Sequence, residues 1–266
     1  MTAKLMGQSI HYHVDEHGVA TITLNRPDIH NAFDDTVIAA LTDAFTQAAN
    51  DSAVRVVILA SNGKSFCAGG DLNWMRRMAG YNYEENLRDS NALANMLRTL
   101  NFLPKPTIAR VQGAAYGGGV GLVACCDIAV ASTESAFCLS EVKVGLIPAT
   151  IGPYVVRAIG PRAARRYFTT AELISAKSAH ELGLVSELVE REELDARIAN
   201  LVKNLLRNGP NAMAEAKRLV LDIADREIDA AMIADTSERI AQTRGSDEGR
   251  EGLSAFLEKR RPNWIQ

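Results

Sequence analysis

Apolar and polar positions alternate with a period of two over Ile10 to Val14 and again over Val19 to Leu24, around Glu16, His17 and Gly18, which predicts a hairpin. After Asn25-Arg26-Pro27 the period lengthens. Val37, Ile38, Leu41 and Phe45 then share one face of a helix that Asp34 and Asp35 can cap and that lasts to about Asn50. Val54 to Ala60 (VRVVILA) is nearly continuous in apolar residues, the mark of a strand buried on both faces in a parallel sheet. A helix over Tyr83 to Asn101 carries Leu93, Leu97 and Leu100 on one stripe and stops before Pro104-Lys105-Pro106. Ile108 to Val111 reads as a strand, Gly113 as a turn, and Gly117-Gly118-Gly119 as the opening of a short apolar helix. A strand over Asp127 to Ala131 and a loop carrying Glu141 follow.

From Pro153 onward the pattern is helical: Tyr154 to Ile159, Arg162 to Thr169 and Ser175 to Leu182, with a short final strand over Gly183 to Val189. Further helices fall near Glu192 to Arg207, Asn211 to Ala224, Ile228 to Thr243 and Asp247 to Arg260. Strands alternating with helices in this way predict an α/β fold with crossover connections. No proline-rich linker or low-complexity stretch divides the chain, so residues 1–190 read as the α/β core and 191–266 as a helical region of the same folding unit. The stripes Ile198, Leu201, Leu205 and Ile233, Ile240 need cover, either from the α/β body or from another subunit.

Composition narrows the function classes. With 266 residues, 47% hydrophobic, the chain can bury a sizeable core. A net charge of −3 with interspersed signs gives no surface for nucleic acid. Cys67, Cys125, Cys126 and Cys138 form no CxxC pair and lie among apolar residues, as thiols of a reducing compartment do. His11 and His13 would share a strand face, but exposed polar positions explain them, and no metal is expected. The start MTAKLMGQSIHYH lacks the form of a signal peptide, and no run of roughly eighteen apolar residues exists to cross a membrane. The expectation is a soluble cytoplasmic protein.

Chemistry gathers at two glycine-bearing loops. Gly117, Gly118 and Gly119 stand where a helix begins, leaving unpartnered N–H groups at its positive end with no Cβ in the way. That suits a polarised oxygen; a turn that merely lets helix and strand pack closely has the same sequence. The second loop, SNGKSFCAGGDLNWM, follows a strand in the same manner, and Asp71 reads as the cap of the next helix. If the loops face each other, the N–H groups of Gly70 and of one residue in the glycine run could grip a single oxygen. Glu141 sits between Cys138-Leu139 and Val144 to Pro148, apolar company that would desolvate its carboxyl and suit it to move protons. Lys143 would oppose that shift, meet an acidic substrate, or remain solvated.

FCAGGDL, GAAYGGGVGLVACCD and FCLSEVKVGLIPA at these spacings resemble the enoyl-CoA hydratase/isomerase, or crotonase, superfamily, and the likeness runs from VATITLNRP at Val19 to the tail FLEKRRPNW. The resemblance implies a spiral of ββα units, a helical C-terminal region that builds trimers or hexamers (dimers of trimers), and an acyl-CoA substrate with no separate cofactor. It implies that the N–H groups of Gly70 and Gly118 hold the thioester oxygen and that Glu141 is catalytic. It further implies that Ala68, Gly69, Asp71, Leu72, Asn73 and Gly117 line the CoA path, with Phe256 and Lys259 reaching CoA from a neighbouring subunit.

One position departs from the family pattern. Hydratases of this kind carry two glutamates, and at the first this chain has Gly121, placed with the substrate-lining positions. Space for a branched acyl group, a single-glutamate isomerase chemistry, and close helix packing are three readings of it. The wording SEVKVGLIPATIGPYVVRAIGPRAARRYFTTAE is similar to bacterial methylglutaconyl-CoA and carboxygeranoyl-CoA hydratases, whose substrates carry a second carboxylate that Lys143 or Arg157 could meet. Tyr116, Ser140 and His30 are candidates for holding water. The expected function is hydration of a branched, dicarboxylic 2-enoyl-CoA. Alternatives are a delta isomerase using Glu141 alone and a non-catalytic acyl-CoA-binding protein.

Overall fold

The computed structural model describes residues 4–5 and 9–265. The chain begins with β1 (Lys4–Leu5), β2 (Ile10–Val14) and β3 (Val19–Leu24), passes through α1 (Asp35–Asn50) into β4 (Val56–Ser61), and continues by α2 (Leu72–Met78) and α3 (Tyr83–Asn101) to β5 (Thr107–Val111). β6 (Ala115–Tyr116), α4 (Gly118–Cys125), β7 (Ile128–Ser132) and β8 (Ala136–Cys138) follow. Next come α5 (Gly152–Thr170), β9 (Ile174–Ser175), α6 (Ala176–Glu181) and β10 (Glu187–Val189). The chain closes with α7 (Leu194–Leu205), α8 (Pro210–Ile223), α9 (Ala230–Gly245) and α10 (Asp247–Leu257).

The main sheet has the order β1-β2-β3-β4-β5-β7-β10, antiparallel from β1 to β3 and parallel thereafter. A second sheet, β6-β8-β9, stands beside it and was not foreseen from the sequence, because its strands are only two or three residues long. The architecture is a mixed α/β fold. α1 and α3 bury Val37, Leu41, Phe45, Met96, Leu97 and Leu100 in the main core. Each starts on a capped turn: Asp34 accepts from Thr36 and Val37 N–H, and Asn82 with Glu85 forms a reciprocal box.

Several boundaries moved for identifiable reasons. The strand expected from Val54 starts at Val56, since Val54 N–H closes a turn onto the Asp51 carbonyl. The strand expected from Gly183 starts at Glu187. Gly183 takes a φ of +91°, and the Leu184 and Val185 amides bond back to Ala179 O at 2.9 and 3.2 Å. The break between the two helices after Pro153 is a kink inside α5, where Gly160 leaves helical geometry before Pro161.

α7 covers the far face of the main sheet: Leu194 and Ile198 pack with Val56, Ile108 and Val130, and Leu201 and Leu205 join them. That stripe lies on the α/β body, so packing continues across residue 190. Ile233 and Ile240 on α9 remain exposed. No helix among the described residues is long and apolar enough to cross a membrane.

Candidate active site

The loop after β4 is held by two isolated parallel bridges, Cys67 with Ala115 and Phe33 with Gly70. Phe33 N–H donates to Gly69 O and Asp71 N–H donates to Phe33 O, both at 2.9 Å, so Gly70 lies opposite Phe33 with its own N–H turned away. Asp71 caps α2 through Asn73 and Trp74 N–H and accepts a third bond, on its other oxygen, from the Arg26 guanidinium at 3.2 Å. Its role in the fold is therefore the cap. Ala68, Leu72 and Asn73 are exposed along the same edge, and Gly69 is buried beside the Tyr116 carbonyl.

On the other loop, Gly117 has φ 50° and ψ −121°, a conformation that only glycine adopts readily, while its N–H is held by Cys138 O at 2.8 Å. This turn lets the chain leave β6 and enter α4 at Gly118. The first N–H groups of that helix have no acceptor one turn earlier. A Cβ on Gly69 would lie 3.0 Å from Tyr116 O and 3.9 Å from the Gly117 Cα, so the two loops lie against each other. A Cβ on Gly119 would lie 2.9 Å from Cys67 Cβ. Cys67, wholly buried, has its thiol pushed up to about 12 by desolvation and acts as packing.

Glu141 opens a short 3-10 turn, Glu141–Val144, in place of the expected loop. Its carboxylate faces the glycine turn: Oε1 would be 3.2 Å from a Cβ on Gly117. Oε2 is buried and takes no hydrogen bond from the described residues. Burial raises the pKa of this carboxyl above its ordinary value, opposed in part by its own backbone N–H. An acid of this kind can exist protonated nearer to neutrality and can give a proton to an adjacent carbon.

Gly121 sits one turn into α4 and is buried. A Cβ there would run into Ile151 Cγ2, lie 2.9 Å from Ile151 Cβ and touch Leu97 Cδ2 at 3.4 Å. The space beside it is filled by core side chains, which is the close-packing reading of this glycine. The other sequence candidates are scattered. Ser140 precedes the Glu141 turn, and Tyr116 stands half-buried next to Gly117. His30 is exposed and bonded to Ser65 Oγ at 3.0 Å. Lys143 is exposed on the Glu141 turn, whereas Arg157 reaches 4.0 Å to Asp225. Phe256 near the end of α10 and Lys259 just after it are both exposed. Among the described residues no three His, Cys, Asp or Glu side chains gather as metal ligands would. Phe33, Ile151 and Arg26 shape the site yet escaped notice in the sequence, where an apolar residue or an arginine after a strand carries no distinguishing signal.

The mixed seven-stranded sheet, the two glycine loops in contact and a desolvated carboxyl beside Gly117 are the frame of an enzyme of the crotonase type. The chain belongs to the enoyl-CoA hydratase/isomerase family, whose model matches residues 15–266. It is 46% identical to an enoyl-CoA hydratase from Shewanella pealeana, with a TM-score of 0.93 over 96% of each chain. An enoyl-CoA hydratase from Mycobacterium smegmatis is 38% identical, with a TM-score of 0.91 over 97% of this chain and 99% of the other. The crotonyl-CoA hydratase of Syntrophomonas wolfei is 32% identical over 253 residues, 94% of this chain and 95% of its own.

Proposed function

We propose that this protein is a hydratase that adds water across the double bond of a branched, dicarboxylic 2-enoyl-CoA. The observation that carries the reading is the Glu141 carboxyl, desolvated, unpartnered at Oε2 and turned toward the glycine turn that opens α4. The N–H groups of Gly70 and Gly118 would hold the thioester oxygen; the Gly70 N–H is left free by the Phe33 bridge and the Gly118 N–H by its place at the helix start. As the water oxygen bonds to the β carbon, the π electrons pass into the thioester to give an enolate. Glu141 then delivers its proton to the α carbon, and the proton shed by the water returns to the Glu141 carboxylate. Lys143, exposed two residues from Glu141, is better placed than the Asp225-paired Arg157 to meet a second carboxylate. Ala68, Leu72 and Asn73 form the exposed edge along which CoA would lie, with Gly69 buried beneath it. The exposed Phe256 and Lys259 suit contact with a neighbouring copy in a homotrimer or a dimer of trimers.

A second reading has one observation in its favour. With position 121 closed by Ile151 and Leu97, Glu141 works without a carboxylate there, and a single acid can move a proton between two carbons as an isomerase does. Incubation with 3-methylglutaconyl-CoA in oxygen-18 water, with crotonyl-CoA in parallel, separates the two by mass spectrometry. Label in the branched product supports the hydratase. Conversion of a 3-enoyl-CoA to its 2-enoyl isomer without label in any product overturns it in favour of the isomerase.

A further inference from the structure

Phe33 touches both loops of the candidate site, one through its backbone and one through its ring. Its N–H and C=O clasp Gly69 O and Asp71 N–H at 2.9 Å, which fixes the orientation of Gly70 between them. Its ring, 1% exposed, fills the place that a Cβ on Gly118 would take: that Cβ would lie 3.0 Å from Phe33 Cε1 and would overlap Cζ. The ring also packs on Trp74, centroids 6.1 Å apart, in the helix that Asp71 caps. Phe33 is itself braced. Arg26 donates to Ala32 O at 2.9 Å and to Asp34 and Asp71 at 3.2 Å, tying the residues on either side of Phe33 to the cap of α2.

We infer that Phe33 is a positioning residue that sets the separation and aim of the Gly70 and Gly118 N–H groups. This rests on the proposed oxyanion role of those two groups. Hydrogen bonds weaken steeply as distance and angle depart from their optimum, and two donors serve one oxygen only while their spacing is held. A side chain that spans the two backbones without polar atoms of its own can hold that spacing and take no part in proton transfer.

The test compares Phe33→Ala and Phe33→Leu with the wild type by infrared difference spectroscopy of a bound acyl-CoA labelled with carbon-13 at the thioester carbonyl, together with kcat and the dissociation constant of free CoA. In the wild type the carbonyl stretch moves to lower frequency on binding. In Phe33→Ala most of that displacement is lost and kcat falls by roughly 10- to 100-fold, less than the 10²–10³ typical of deleting a donor outright. CoA affinity stays within about threefold, since a uniform binding loss would instead move KM alone. Phe33→Leu, which restores apolar volume, recovers part of both. A folded Phe33→Ala with the wild-type carbonyl frequency and kcat overturns the inference. Should that variant not fold, Phe33→Leu decides, an intermediate frequency supporting it and the wild-type frequency overturning it. Absence of any displacement in the wild type overturns the oxyanion reading itself, a result distinguishable from failure at Phe33.

Discussion

At the scale of single residues, the Glu141 carboxyl bears a cost for its burial. Its pKa is raised by burial, so the native state holds a proton that the unfolded chain releases in the ordinary carboxylate range. The sign follows: the stability associated with the protonated carboxyl is present below that range and is lost as pH rises through the raised native value. Glu141→Gln, always neutral, is therefore expected to match the wild type in thermal unfolding at about pH 4 and to exceed it at pH 8, read by calorimetry across that span. Its kcat should fall by about two or more powers of ten, with CoA affinity little changed. In the hydration direction the wild-type rate should decline as alkaline titration removes the Glu141 proton, and the reverse reaction should show the opposite limb. The carboxyl itself was legible in the sequence, because apolar neighbours on both sides announce desolvation. Phe33 and Ile151 were not, since nothing local separates an apolar side chain that shapes a site from one that only fills the core.

At the scale of elements, α4 approaches its neighbours closely at its three glycines. Gly118, Gly119 and Gly121 bring its backbone against Phe33, Cys67 and Ile151. Adding a methyl at Gly121 is expected to destabilise the fold by about 1–3 kcal/mol through overpacking, despite the better helix propensity of alanine. Gly121→Ala should be partly rescued by Ile151→Ala, which removes the Cγ2 that the added methyl would meet, whereas Ile151→Ala alone should cost about 2–5 kcal/mol, and a denaturant-unfolding cycle over the four variants measures the coupling. Periodicity made the long helices readable: α1, α3 and the four C-terminal helices stand close to their expected spans, and Gly160-Pro161 marked the break in α5. The small sheet, the bridge from Phe33 to Gly70 and the contact between positions 121 and 151 join segments far apart in the chain. Those pairings are set by tertiary packing, which local pattern does not encode.

At the scale of the molecule, α8 to α10 leave Val220, Ile233, Ile240, Leu253, Phe256 and Leu257 exposed, more apolar surface than a lone subunit needs. The proposed trimer would bury such a face. Sedimentation equilibrium should find an assembly heavier than the 28.8 kDa chain, and Ile233→Glu combined with Ile240→Glu should shift it toward that single-chain mass. The order of strands carries a different consequence. From β1 through β5, β7 and β10, each strand of the main sheet takes its place at the edge next to the strand of that sheet made before it, so the sheet can grow in the direction in which a ribosome delivers it. One surface must wait. Val56, Ile108 and Val130 receive their cover only when Leu194 and Ile198 have been made, so during synthesis the nascent sheet shows a greasy side to the cell for tens of residues, the window in which a chaperone would find it.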